Sequence, residues 1–298
     1  MSDAAPRDLS RKERWARCLL GLAARLPLGV FRGLGSVAGN LLYLLAHRRR
    51  GIVLCNLALC FPSWTAQQRH AVARRNMVYF MQTLLDRVWL WHAPVATLER
   101  RIRWTGDLSV FEGERPVVVF APHFMGLDVG GFWLSHLTQR NWSFIYVPQN
   151  SPGMDRWVND GRTRFGNFPI PRKQGIMPIL RHLRAGGVLH LSPDMDLGRN
   201  NAVFVPFFGR LAATITSLGR LSALAQAPVL SLLTRVTPAG YTVELLPPWP
   251  DFPTGNDEAD ALTMNRQLEG YVLGMVDQYH WPHRRFKSRP PGESNPYR

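Results

Sequence analysis

Cysteine is scarce in this chain and follows no pattern: among 298 residues only Cys18, Cys55 and Cys60 occur, without metal-ligand spacing and without the even number that a disulfide framework requires. They read as reduced thiols facing a cytosol, so neither zinc nor any other metal belongs to the expected site, and no cofactor is expected. Acidic residues are also few, 21 against 36 Lys and Arg, for a formal net charge of +15. That surplus calls for an acidic partner, whether nucleic acid, anionic lipid or acidic protein. Nucleic acid is set aside, because no zinc-finger, RNP or similar signature is present and the aromatic residues follow core periodicity instead of interleaving with a basic stripe. A G-x-S-x-G nucleophile is missing, as are internal repeats and low-complexity segments.

Long apolar runs are missing from the first fifty residues too. A spanning helix needs about 18 to 20 consecutive apolar residues, yet Arg25, Pro27 and Arg32 divide "CLLGLAARLPLGVFRGLGSVAGNLLYLLA", and its longest charge-free piece is Gly33 to Ala46. No small-residue cleavage site follows a single apolar core, which disfavours a removed signal peptide. Residues 1 to 50 carry ten Lys/Arg against three Asp/Glu, a net of +7. Arg25 and Arg32, seven apart, share a helical face, which suits an interfacial helix with its leucines in lipid and its arginines on phosphates. A tilted span with snorkelling arginines and a helix packed on the protein's own core stay open as alternatives. The expected organisation is a membrane-associated helical segment over 1–50 and a larger domain over 51–298.

What is present beyond residue 50 is an alternation. "SWTAQQRHAVARRNMVYFMQTLLDRVWLW" has apolar positions recurring at three and four, with Ser63 as its cap. Then β-type runs ("VVVF", "WSFIYV", "VLHLS", "PVLSLLTRV", "YTVELL") alternate with helical ones ("GLDVGGFWLSHLTQ", "MDRWVNDGRTRF", "GIMPILRHLRA", "TITSLGRLSALAQ"), and a last helix runs from about Asp257 to Tyr279. The pattern predicts an α/β layered fold, a largely parallel sheet flanked by helices, with 46% hydrophobic residues to fill its core. "PPWPDFPTGND" reads as a surface loop.

The chemistry-bearing stretch is "VVVFAPHFMGLDVGG", residues 117 to 131. Two helical residues five apart lie about 140° from one another around the axis and cannot cooperate. With His123 in the turn after a strand and Asp128 in the first turn of the following helix, the carboxylate is expected to reach back to the imidazole and also to complement the helix dipole. Strand ends are where open α/β sheets place their ligand crevices. A bond from one ring nitrogen to Asp128 would fix the tautomer and leave the other nitrogen to take a proton. Without a protein nucleophile, such a pair activates a hydroxyl of the substrate.

Further motifs follow in order: "NDGRTRFGN", "LSPDMDLG", "VFVPFFGRLAAT", "APVLSLLTRV" and "YHWPHRRFKSRP", with "HRRRGIVLCNLALCFP" upstream. On these residues and on "HFMGLD", the chain from about 47 to 290 resembles the lysophospholipid acyltransferase superfamily (glycerolphosphate acyltransferase-like) and, within it, the late lauroyl/myristoyl acyltransferases of lipid A biosynthesis. Met195 departs from the polar residue usual inside the D-x-D turn, and Asp128 stands where Glu is common.

The resemblance implies an acyltransferase at the cytoplasmic face of the bacterial inner membrane. It would move a fatty acyl chain from acyl carrier protein to a hydroxyl of a lipid A precursor, with His123 as general base and Asp128 as its orienting acid. Arg162 and Arg164 are expected to bind a phosphate of the acceptor or of the donor's phosphopantetheine arm, Asp194 and Asp196 to hold sugar hydroxyls or an arginine, and "VPFFG" to form either an acyl-groove wall or core. Arg284 and Arg285, in the basic tail, are expected to dock the acidic carrier protein. The alternatives are another lipid acceptor (lysophospholipid, ornithine lipid or glycolipid) and a non-catalytic protein that binds anionic lipid.

Overall fold

The computed structural model describes residues 11–297; the part of the expected N-terminal segment that precedes residue 11 lies outside the described residues. The chain opens with helices: α1 (Arg11–Ala23), α2 (Leu28–Leu45), α3 (His47–Cys60), α4 (Ala66–His92) and α5 (Val95–Arg101). The alternating part follows as β1 (Ile102–Thr105), β2 (Val117–Phe120), α6 (Leu127–Thr138), β3 (Trp142–Tyr146), α7 (Pro152–Arg162), β4 (Phe168–Pro171), α8 (Met177–Arg184) and β5 (Val188–Leu191). A hairpin, β6 (Ala202–Phe207) and β7 (Arg210–Ile215), precedes α9 (Ser217–Ala225), β8 (Val229–Thr237), β9 (Gly240–Pro248) and α10 (Asp257–Gly274).

Seven strands form one sheet in the order β1-β9-β8-β2-β5-β3-β4, and β6-β7 stands apart as an antiparallel pair. Every neighbouring pair in the large sheet is parallel except β8 with β9, so the expected largely parallel sheet is present. Its central strand, β2, is an unbroken apolar run buried on both faces, as parallel strands covered by helices require. Val118, Phe120, Leu189 and Leu191 face one core with residues of α3, α8, α9 and α10, while Val117, Val119 and Val188 face another with α6 and the end of α4. β2 leads through α6 to β3, two places away, and β5 later fills the gap between them. The chain therefore reverses direction across the sheet beside β5, the kind of place where strand-end crevices open.

Two local expectations are corrected. The cap of α4 is Thr65, not Ser63: Thr65 Oγ1 accepts the Gln68 N–H at 3.2 Å and Gln68 Oε1 accepts the Thr65 N–H at 2.7 Å, a reciprocal capping box that Ser63 is two residues too early to make. The last helix ends at Gly274 instead of continuing to Tyr279. Residues 276–278 form a short 3-10 turn, and the segment after it is pulled into the middle of the molecule.

α2 lies along α4. A Cβ placed on Gly35 would fall 2.7 Å from Gln82 Cα, and one on Gly39 would fall 2.4 Å from Val78 Cα, so these two glycines let the helix backbones touch. Arg32 of α2 reaches the wholly buried Asp86 of α4 at 3.1 Å. Asp86 also accepts from Tyr241 Oη (2.6 Å) and Trp89 Nε1 (2.9 Å). The opposite side of the two N-terminal helices is an exposed apolar stripe: Trp15, Leu19 and Leu22 on α1, then Val30, Leu34, Val37, Leu41 and Leu44 on α2. α2 is the one described helix long and apolar enough to cross a membrane by length and composition.

Candidate active site

Parallel pairing sets Phe120 of β2 beside Leu191 of β5. Three residues beyond each, in the turns that leave the two strands, stand His123 and Asp194. The imidazole Nδ1 lies 2.6 Å from Asp194 Oδ1, and the His123 backbone N–H donates to Asp194 Oδ2 at 3.0 Å. Tyr279 Oη donates to the same Oδ2 at 3.1 Å. Asp194 is wholly buried, which alone would raise its pKa; the charge and ring of His123 and the backbone N–H bonds outweigh burial and hold it at about 2. A carboxylate bound to Nδ1–H selects the tautomer in which Nε2 is unprotonated.

Asp128 is where the sequence put it, in the first turn of α6, but its partners correct the expected pairing. Arg87 Nη2 of α4 lies 2.7 Å from Oδ2, and Arg162 of α7 binds Oδ1 through Nε (2.9 Å) and Nη2 (2.8 Å). Two guanidinium groups converge on one carboxylate, while the imidazole already has its own acid across the strand ends. Burial raises the pKa of Asp128, and the arginines, Arg162 first, overcome this and hold it well below the usual carboxylate range.

A cavity of about 930 Å³ opens over the ends of β2, β5 and β3. His123, Asp128 and Arg162 line it, together with apolar side chains such as Phe132, Phe144, Ile145, Ile179, Leu191 and Leu221. Four buried polar atoms on its walls have no hydrogen-bond partner among the described residues: Ser143 Oγ, Asn167 Oδ1, His190 Nε2 and Ser217 Oγ. His190, on β5, packs against Gly131 of α6, where a Cβ would come within 2.8 Å of its ring. Burial lowers its pKa to about 4, so it is neutral at ordinary pH. Sequence reasoning missed His190 and Arg87; a lone histidine in "VLHLS" and an arginine in mid-helix carry no local signal.

The other expected site residues are corrected by their positions. Arg164 turns away from the cavity and caps the end of α4, donating to the Leu90 and Ala93 carbonyls at 2.7 and 2.5 Å. Asp196 is wholly buried and holds the chain's end: it accepts from Ser288 N (2.7 Å), Ser288 Oγ (2.9 Å) and Gly198 N (2.9 Å), and its own N–H donates to His283 Nε2 at 2.8 Å. Neither carboxylate of the D-x-D turn is free to meet a sugar, since Asp194 belongs to His123. Arg285 is buried under the β6-β7 hairpin, donating to Ala213 O, Thr214 Oγ1 and Asn265 Oδ1, with its guanidinium 5.1 Å from the Phe207 ring centroid. It is therefore no rim residue, whereas Arg284 is exposed. Phe207 of "VPFFG" is core and not cavity wall.

Fold and site together define an α/β protein with a strand-end cavity that is largely apolar and carries one histidine–carboxylate pair and one arginine–carboxylate cluster. Residues 10–288 match the model of the bacterial lipid A biosynthesis acyltransferases, and the chain belongs to that family. It is 31% identical over 289 residues to the lipid A biosynthesis lauroyltransferase of Escherichia coli (strain K12), an alignment covering 94% of this chain and 92% of that protein. The palmitoleoyltransferase of the same organism is 31% identical over 291 residues (94% and 92% covered), and its myristoyltransferase 29% over 303 residues (97% and 92%).

Proposed function

We propose that this protein transfers a fatty acyl chain from acyl carrier protein to a hydroxyl of a lipid A precursor. The observation that carries the reading is His123, held on Nδ1 by a buried carboxylate and lining a largely apolar cavity, in a chain of the lipid A acyltransferase family. Nε2 of His123 takes the proton as the acceptor oxygen attacks the thioester carbonyl. The ester forms, the C–S bond breaks, and the imidazolium returns the proton to the departing thiolate. The acid of the pair is Asp194, which orients the ring and supports the imidazolium.

Arg162 and Arg87, already gathered by Asp128, present a net positive charge suited to a phosphate of the acceptor. The apolar walls suit the acyl chain, and Ser143 Oγ, Asn167 Oδ1 and Ser217 Oγ, which have no partner among the described residues, suit the amide or hydroxyl groups of the substrates. The surplus of basic residues, Arg284 among them, favours encounter with an acidic carrier protein. Residues 1–50 hold residues 51–298 at the cytoplasmic face of the inner membrane, with the stripe from Trp15 to Leu44 in lipid and the exposed Arg25, Arg48 and Arg49 beside anionic headgroups.

The test is label transfer from acyl carrier protein to a lipid A precursor by the purified protein. His123→Ala is expected to lose about 10²- to 10⁴-fold in kcat with its fold intact. Wild-type turnover by that variant sinks the mechanism, and mass spectrometry of lipid A from cells with and without the protein checks acceptor and chain.

A further inference from the structure

The segment after α10 does more than close the chain. Its backbone runs beside the His123 turn: Met125 N–H donates to Gln278 O and His280 N–H donates to His123 O, both at 2.8 Å, while Phe124 and Tyr279 form an antiparallel bridge. Asn76 of α4 holds the other side, donating to Asp277 O at 2.9 Å and to Tyr279 O at 2.7 Å. These bonds place the Tyr279 ring between Phe124 and Trp281, with centroids 5.7 and 4.9 Å away, and its hydroxyl on Asp194.

We propose that Tyr279 is a positioning residue of the transfer site: acting through Asp194, its hydroxyl fixes the imidazole of His123 so that Nε2 is the nitrogen offered to the acceptor. This rests on the general-base reading given above for His123. Two of the donors to the Asp194 carboxylate belong to His123, and among the described residues Tyr279 is the one other side chain that donates to it, on the Oδ2 that also takes the His123 N–H. Without it, apart from its own backbone N–H, the carboxylate is held by the residue it has to orient. The phenol stays protonated, since burial and the neighbouring Asp194 raise its pKa well above the ordinary value, so it remains a donor. Asp128, bound to two arginines, takes no part in this chain of contacts.

Tyr279→Phe keeps the ring and removes only the hydroxyl. Loss of one such bond is expected to lower kcat about tenfold, leaving KM for both substrates within about twofold. In the full-length protein with ¹⁵N-labelled histidine rings, His123, assigned by its loss in His123→Ala, is expected to show a protonated Nδ1 and a bare Nε2. Tyr279→Phe should average the two tautomers, and Asp128→Asn should leave the wild-type pattern in place. A wild-type kcat, or an unchanged tautomer pattern, in folded Tyr279→Phe overturns the proposal. So does a pattern that responds to Asp128→Asn alone. If Tyr279→Phe does not fold, difluorotyrosine at 279 serves: a more acidic phenol draws more of the carboxylate's charge and displaces the His123 Nδ1 resonance, and an undisplaced resonance is a refutation. The spectra need no turnover, so they judge Tyr279 even if His123→Ala proves active and the transfer reading falls.

Discussion

Two aspartates near one histidine differ in what they hold, and kinetics can separate them. Asp194→Asn keeps the shape but loses the charge behind the imidazolium and admits the wrong tautomer, so kcat is expected to fall about 10³-fold or more. Asp128→Asn acts on the arginines and is expected to change KM for a phosphorylated acceptor more than kcat. Arg162→Ala, which removes charge-assisted bonds, should raise that KM by about 10- to 100-fold. Steady-state kinetics on the three variants decide the matter, and an Asp194→Asn enzyme with wild-type kcat would reject the pairing seen at 2.6 Å. His123 was legible in the sequence because a strand, Pro122 and a polar residue mark a strand-end turn locally. Its acid was not: Asp194 lies 71 positions away and meets His123 only because β5 pairs in parallel with β2 at a particular register. Asp128, five residues away, was the nearer acid in sequence, and nothing in the sequence told of Arg87 and Arg162 waiting for it.

At the scale of elements, α2 has two unlike faces, and both are testable. Its inner face depends on Gly35, Gly39 and the Arg32–Asp86 pair. Arg32→Ala leaves a buried carboxylate without its cation and is expected to cost about 3–5 kcal/mol in urea unfolding. Gly39→Val forces a side chain into the α4 backbone and should loosen the same contact. Its outer face, exposed from Val30 to Leu44, is expected to carry membrane attachment. Leu34→Glu with Leu41→Glu should leave the fold intact and release the protein from anionic vesicles, and unchanged co-sedimentation would count against the stripe. A helix pinned on one side by an ion pair and glycine contacts fits attachment along the bilayer surface better than a free span. The apolar strands β2, β3, β5 and β8 were readable as runs because burial on both faces demands them. β4, "FPIP", was not, since prolines at two of the four positions of an edge strand erase the pattern. The β6-β7 hairpin was hidden because Phe208 and Gly209, both at positive φ, make a tight turn inside "VPFFG", an aromatic stretch that reads equally well as groove wall or core.

Across the whole molecule, the buried histidines tie stability to pH. Burial lowers the pKa of His182, and it lowers His190, His280 and His283 to about 4, with nearby His123 also acting on His280 and Arg285 on His283. In the unfolded chain these side chains titrate near 6.5. Between about 6.5 and 4 the unfolded state therefore binds protons that the folded state refuses, and stability falls as pH falls through that window. Asp128 and Asp194 act lower: their contribution is present above about 3.9 and is lost only as the pH drops further toward their depressed folded values. The rising positive charge of a chain already at +15 works in the same direction as the histidines, so a lower urea midpoint at pH 5 than at pH 7.5 would not by itself assign the cause. His283 separates the two. Its Nε2 accepts the Asp196 N–H and so ties the D-x-D turn to the C-terminal segment that carries Tyr279. His283→Gln offers an amide oxygen in its place without a titrating ring. That variant is expected to lose less stability between pH 7.5 and 5 than the parent, while its net charge at pH 7.5 is unchanged. Identical pH slopes for the two proteins would remove His283 from the account and leave general charge repulsion as the cause.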